Sequence, residues 1–279
     1  MPTLTQTRQV TELAEIARQL RVRIIEMTAA ARSGHPSTSL SSVEICTALH
    51  FSKLRWNPYD PAWPERDRFV LSKGHGVPVL YAVYAQAGAI PEDETQTLRR
   101  IGSRLQGHPD PVRLPFLEAA TGSLGQGLSI ALGMSLGARL DGASWRTYCL
   151  LGDGECEEGQ VWEAAMSAPR FEVDNLCGIV DNNRIQQTSS VEQILPTLNP
   201  LPDKWRAFSW HVVECDGHDI QALLDAFDEA ERTSGKPTVV IAHTVKGKGV
   251  SFMENALDWH GKAPNEDQAK QAIEEILSS

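Results

Sequence analysis

The chain has 279 residues, 41% hydrophobic and 22% charged, enough to bury one large core or two smaller ones. Its formal net charge of -10 argues against nucleic-acid binding, which needs a basic face for the phosphate backbone. No apolar run approaches the ~20 residues of a membrane span, Met1 to Val10 are polar, and Cys46, Cys149, Cys156, Cys177 and Cys215 form no C-x-x-C pair. These features predict a soluble cytoplasmic protein with buried, reduced thiols.

A helix is predicted over 13–31, because Leu13, Ile16, Ala17, Leu20, Ile24, Met27 and Ala31 recur at three- and four-residue steps. It breaks at Ser33-Gly34-His35-Pro36, and Ser41-Ser42-Val43-Glu44 reads as a capping box opening a second helix through Leu54. After a loop with Pro58, Pro61 and Pro64, a short strand at 68–71 leads into Ser72-Lys73-Gly74-His75-Gly76 and an apolar helix over 77–87. Pro91 suits the first turn of another helix, with Glu92 and Asp93 complementing its dipole. Residues 102–121 are predicted irregular, with a Gly107-His108-Pro109 turn. Gly122-Ser123-Leu124-Gly125-Gln126-Gly127 then opens a helix to about 140, and its Ala131, Gly133, Gly137 and Ala138 predict close packing.

The second half alternates between strands at 147–151, 176–181, 211–214 and 238–243 and helices at about 160–168 and 220–234. Alternation of this kind predicts an α/β three-layer sandwich, a mostly parallel sheet with helices on both faces, spanning 1–279 as one domain. Residues 184–205, with Pro196, Pro200 and Pro202, read as a surface excursion.

The strand endings carry the functional information. The strands run into Gly152-Asp153-Gly154, Asp181-Asn182-Asn183, Cys215-Asp216-Gly217-His218-Asp219 and Thr244-Val245-Lys246-Gly247-Lys248-Gly249. Ligands bind outside the carboxyl ends of parallel strands, so these loops are expected to converge. Asp153 and Asn183 lie about 30 residues apart, the length of one strand–helix–strand unit. An Asp and an Asn side by side, among glycines that let backbone N–H groups approach, suit a hard cation holding a diphosphate. Taken singly the signals are weak. Gly-Asp-Gly is ordinarily a turn and lacks the third glycine of a dinucleotide fingerprint. Glu155, Glu157 and Glu158 ordinarily form a solvated face, and Lys246 and Lys248 could be surface lysines. His35, His75, His108 and His260 sit in Gly-His-Pro, Gly-His-Gly, Gly-His-Pro and Trp-His-Gly settings that allow close approach by a ligand. His218 reads as a helix-entry turn with Asp219 as N-cap, and His50, His211 and His243 as structural.

In this order the motifs resemble the N-terminal, diphosphate-binding part of transketolase, over nearly the whole length. The resemblance implies thiamine diphosphate with Mg²⁺, for which Ca²⁺ can stand in. Asp153, the Asn183 side chain and the Ile185 carbonyl would be the metal ligands. Gly154, Glu155, His75, His260 and Lys246 would lie on the diphosphate side, and Gly122, Ser123 and Leu124 would meet the aminopyrimidine. His35, His75, His108 and His260 would bind donor hydroxyls and serve catalysis. Glu158 and Glu163 match glutamates at a subunit interface. Ser37, after Gly-His-Pro, departs from the small residue common there.

The family's pyrimidine-binding and C-terminal domains do not fit in 279 residues. The resemblance therefore implies an α subunit that works with a separate β chain, in an α2β2 assembly, moving a two-carbon ketol unit between sugar phosphates. Two other readings are compatible with the same motifs. One is a relative that passes the unit to a lipoyl domain or carrier protein; the other is a non-catalytic cofactor-binding subunit. The loops at 30–40, 100–120 and 184–205 are expected to face the cofactor or the partner.

Overall fold

The computed structural model describes residues 8–278, so the polar start Met1–Thr7 and Ser279 lie outside the described residues. Helix α1 (Val10–Ala31) buries Leu13, Ile16, Ala17, Leu20, Ile24 and Met27 along the predicted stripe. Helices α2 (Pro36–Leu40) and α3 (Val43–Ala48) come next, and a π-helical turn, Leu49–Lys53, extends α3. Then come strand β1 (Arg68–Leu71), helix α4 (Pro78–Gln86), the 3-10 turn Glu92–Thr97, and an irregular stretch up to helix α5 (Gly127–Asp141). Strand β2 (Thr147–Gly152), helix α6 (Gly159–Arg170), strand β3 (Leu176–Asn182), and short helices α7 (Val191–Ile194) and α8 (Leu201–Ala207) come after it. Strand β4 (His211–Asp216), helix α9 (Ile220–Arg232), strand β5 (Thr238–His243) and helix α10 (Glu266–Ser278) complete the order.

The five strands pair in parallel in the order β1-β2-β3-β5-β4. The apolar runs of β1, β2, β3 and β5 are continuous because both faces are covered, whereas β4, at the sheet edge, is half-exposed. Tyr148, Leu150, Cys177, Ile179, Val240 and Ala242 point into a core shared with α1, α3, α4, α9 and α10. Their neighbours Cys149, Leu151, Val180, Val239 and Ile241 point into a second core with α5, α6 and α8. The period-2 alternation of a strand thus feeds two separate cores.

The structure corrects several expectations. The second helical segment starts at Pro36, and Ser42 makes no side-chain cap bond. The segment is buried, so its polar groups answer buried charges instead: Ser41 and Ser42 donate to Asp181, and Glu44 pairs with Arg21 and His218. Residues 30–40 are accordingly no open loop, since Pro36–Leu40 is buried throughout. The acidic turn after Pro91 stays 3-10, with the hydroxyls of Thr95 and Thr97 bonding back to the carbonyls of Glu92 and Glu94, both at 2.7 Å. Of the small residues expected to pack closely in α5, Ala131 and Ala138 are buried, whereas a Cβ at Gly133 or Gly137 would meet nothing within 4 Å. The 184–205 stretch contains α7 and the start of α8. Trp205 there is fully buried against Trp162 and Trp210, with ring centroids 5.3 and 4.9 Å away. Helices this short leave too few turns to show a period.

Candidate functional site

The loops after β2, β3 and β5 converge, with those around His75, His108, Gly122 and His260, on a cavity of about 450 Å³. Close backbone approach makes this possible: a Cβ on Gly74 would lie 2.2 Å from the Thr121 carbonyl oxygen, so only glycine lets the His75 loop lie against the 121–124 loop. Gly125, at φ +81°, turns that loop beside Glu158. On the opposite wall, the Gly247 N–H donates to the Ser37 carbonyl at 3.0 Å, and the Ser37 hydroxyl donates to the Trp259 carbonyl at 2.8 Å. Ser37 therefore joins the loop holding Lys246 to the one holding His260.

Asp153 follows directly on β2 and is 3% exposed. Its Oδ1 accepts the Gly154 N–H at 2.7 Å and its Oδ2 the Arg184 N–H. Burial, with Asp181 adding to it, raises its pKa to about 7. Asn183, 5% exposed, accepts the Ile185 N–H on Oδ1 and donates from Nδ2 to Asp181, both at 3.1 Å. The Ile185 carbonyl accepts from Lys246 Nζ at 2.9 Å, and Lys246 also contacts His260 Nδ1 at 2.7 Å. Burial and the nearby Lys73 charge bring Lys246 down to about 8.

The predicted histidines assemble. His75 stacks on His260 with centroids 5.4 Å apart, and His35 packs edge-on against both, at 5.1 and 5.6 Å. Burial is the main reason that His35 falls to about 4, His260 to about 3 and His75 well below its ordinary value, so the cluster is neutral at pH 7. His108 lines the cavity but is exposed, 3.4 Å from where a Gly122 Cβ would stand.

Gly122, Leu124, Gly154, Glu155, Asn183, Ile185 and Lys246 all line the cavity, whereas Ser123 is exposed and does not. Glu155 is buried rather than solvated: its carboxylate accepts the Ser72 hydroxyl, the Gly125 N–H at 2.9 Å and the Gly152 N–H at 3.0 Å. It is a strut between the 72, 125 and 152 loops, because a buried carboxylate must find donors. Glu157 accepts from the Gln186 side chain at 3.0 Å. Glu158 is exposed at the cavity edge, and Glu163 is exposed on α6 outside it. His218 is structural, bridging Glu44 at 2.9 Å and the Val245 N–H at 2.8 Å, and Asp219 caps α9. His50 is buried on the Cys46 carbonyl, His211 binds Glu229, and His243 binds Asn182.

Sequence reasoning missed several residues, among them Gln186, Gln187 and Thr188 on the lining and three with buried polar side chains. Thr38 lines the cavity with a buried hydroxyl that has no hydrogen-bond partner among the described residues. Lys73 lines the cavity and pairs with Asp181 beneath it, their side chains 1% and 0% exposed. The available signal was their position in the motifs, since Lys73 sits inside Ser-Lys-Gly-His-Gly and Asp181 two residues before Asn183.

Residues 12–276 match the family "Transketolase, thiamine diphosphate binding domain". Among curated relatives, a transketolase of Pongo abelii is 46% identical over 95% of this chain. The chain spans only 42% of that relative's length. Two relatives are of similar length, and both are named as single subunits of a transketolase. The apulose-4-phosphate transketolase subunit of Phocaeicola vulgatus is 40% identical, with 96% of this chain and 95% of the relative covered. The 6-deoxy-6-sulfo-D-fructose transketolase subunit SqwG of a Clostridium species is 42% identical, with 96% and 97% covered. In structure, a transketolase mutant from Pichia stipitis superimposes with a TM-score of 0.90 at 32% identity, covering 96% of this chain and 41% of that one. The transketolase from Campylobacter jejuni gives 0.90 at 30% identity, covering 96% and 43%. Motif order, cavity and relatives agree, and the chain belongs to the transketolase family as its thiamine diphosphate binding domain.

Proposed function

We propose that this chain is the cofactor-binding α subunit of a two-chain transketolase that moves a two-carbon ketol unit from a ketose phosphate to an acceptor sugar phosphate. The observation carrying this is the convergence on one cavity of Asp153, Asn183, the Ile185 carbonyl, Lys246 and His260. One carboxylate, one carboxamide and one backbone carbonyl make an all-oxygen donor set that suits Mg²⁺, or Ca²⁺ in its place, shared with a diphosphate. The Thr38 hydroxyl, on the cavity lining and without a partner among the described residues, is a further polar atom fitted to a ligand.

Thiamine diphosphate bound here supplies a nucleophilic carbon, the chemistry that lets a ketose be cleaved between C2 and C3. The protein's part is to bind and orient. Gly154 offers its backbone to the diphosphate, Gly122 and Leu124 offer theirs to the aminopyrimidine, and Lys246 and His260 add donors. Neutral His35, His75 and His260 accept and return protons at donor hydroxyls, and His108 grips the donor from the edge. The outward Glu158 and Glu163 then face a second chain that completes the site, in an α2β2 assembly. The free cysteines, four of them buried, suit a cytoplasmic protein.

The test is calorimetric titration of thiamine diphosphate and Mg²⁺ into the reconstituted two-chain complex. Asp153→Ala should abolish metal-dependent binding, and unchanged affinity would reject the cofactor site. Turnover of xylulose 5-phosphate by this chain alone would reject the two-chain reading.

A further inference from the structure

Asp181 does not line the cavity, yet it is the most heavily bonded carboxylate beneath it. Its Oδ2 accepts from Asn183 Nδ2 at 3.1 Å, from the Ser41 hydroxyl at 2.6 Å, from the Ser42 hydroxyl at 3.3 Å and from the Lys73 ammonium. Its Oδ1 accepts the Thr244 hydroxyl. Lys73 is held in turn by the Thr38 carbonyl at 3.2 Å and the Ser42 hydroxyl. Asp181, Lys73, Ser41 and Ser42 are buried, and Thr244 is half-buried at the margin of the cluster.

A carboxamide has two ends of similar shape and opposite hydrogen-bonding sense. An ionised carboxylate can only accept, so it takes the NH₂ end of Asn183 and rejects the oxygen. The oxygen is then left on the other side, where the Ile185 N–H meets it at 3.1 Å. We propose that Asp181, held in place by Lys73, is a positioning residue that sets the Asn183 carboxamide with its oxygen toward the cavity as a divalent-cation ligand. The inference rests on the reading of the cavity as a metal–diphosphate site. Lys73 keeps a buried anion tolerable, and Ser41, Ser42 and Thr244 fix its rotation. Outer partners of this kind orient the ligands of a metal and tune its affinity.

The experiment measures Mg²⁺ affinity by calorimetry in the two-chain complex with thiamine diphosphate present. Asp181→Asn presents a carboxamide that can meet Asn183 with either end, and Mg²⁺ affinity should fall by about 10- to 100-fold. Reversing the pair, Asp181→Asn with Asn183→Asp, offers an oxygen to the cavity whichever way residue 183 turns. It should recover at least about tenfold of the loss, a rescue that mere loosening of the fold would not give. Full affinity in Asp181→Asn, or no recovery in the reversed pair, overturns the proposal. Asp153→Ala removes a cation ligand directly. If it too leaves the affinity unchanged, the reading of the cavity has failed and not only the role of Asp181. Where Asp181→Asn does not fold, Thr244→Val keeps the Lys73–Asp181 pair while freeing Oδ1. Affinity should then weaken by about threefold, and no change overturns the proposal.

Discussion

The floor of the cavity and its walls follow opposite rules. On the floor each buried charge is answered from within the chain: Asp181 by Lys73, Ser41, Ser42, Asn183 and Thr244, and Glu155 by Ser72, Gly125 and Gly152. On the walls, Thr38 Oγ1 has no partner among the described residues, His108 is exposed, and Glu158 faces outward. A buried polar atom without a partner costs about 1–3 kcal/mol. The floor beneath is closed on its own hydrogen bonds, so an unmatched atom on the wall is where a ligand gains most. Stability and recognition are thus assigned to different residues of one cavity.

Substitutions can break this division, and the largest effect belongs to the floor. Lys73→Met strands the Asp181 carboxylate and should lower unfolding free energy by about 3–5 kcal/mol, measured by urea denaturation. A loss below about 1 kcal/mol, within the range of an exposed pair, would show that the floor is no closed network. Gly74→Ala drives a Cβ into the Thr121 carbonyl and should cost about 1–3 kcal/mol, together with displacement of His75. On the wall, His108→Ala should change stability by less than about 0.5 kcal/mol. Donor KM should still rise by about tenfold, the scale of one lost hydrogen bond of about 1.4 kcal/mol, at unchanged cofactor affinity. Normal donor kinetics would remove His108 from the site.

A pH dependence completes the set. His35 is lowered from its ordinary 6.5 to about 4. Its stabilising contribution is therefore complete above pH 6.5 and is lost as pH falls toward 4, where the unfolded chain takes a proton that the folded chain refuses. The protein should lose more stability between pH 7 and pH 5 than His35→Gln does. Equal losses in the two denaturation series would show that His35 is not desolvated in the folded chain.

Much of this architecture was legible in the residue order. Long apolar runs ending in Gly152-Asp153, Asp181-Asn182 and Thr244 to Lys246 marked β2, β3 and β5, and the stripe from Leu13 to Met27 marked α1. The glycine-flanked histidines were found because glycine beside a functional group says that something comes close. What escaped was every role set by a partner distant in sequence. Ser41 to Glu44 has the form of a capping box, but Asp181, Arg21 and His218 draw its side chains away. Glu155 looks like one of a solvated acidic cluster until Ser72 and Gly125 are brought to it. Local pattern reports what a side chain is; the fold decides what it meets.

The two cores fed by alternate strand positions have a practical consequence. Buried thiols are distributed between them: Cys46 and Cys177 lie in the layer with α1, α3 and α9, and Cys149 and Cys156 in the layer with α5 and α6. A thiol reagent can reach each only when its own layer opens. Labelling rates at Cys177 and Cys149, on adjacent parallel strands but opposite faces, would clock the two layers separately in the native protein. The chain carries its own pair of reporters, and no residue need be added to learn which side of the sheet loosens first.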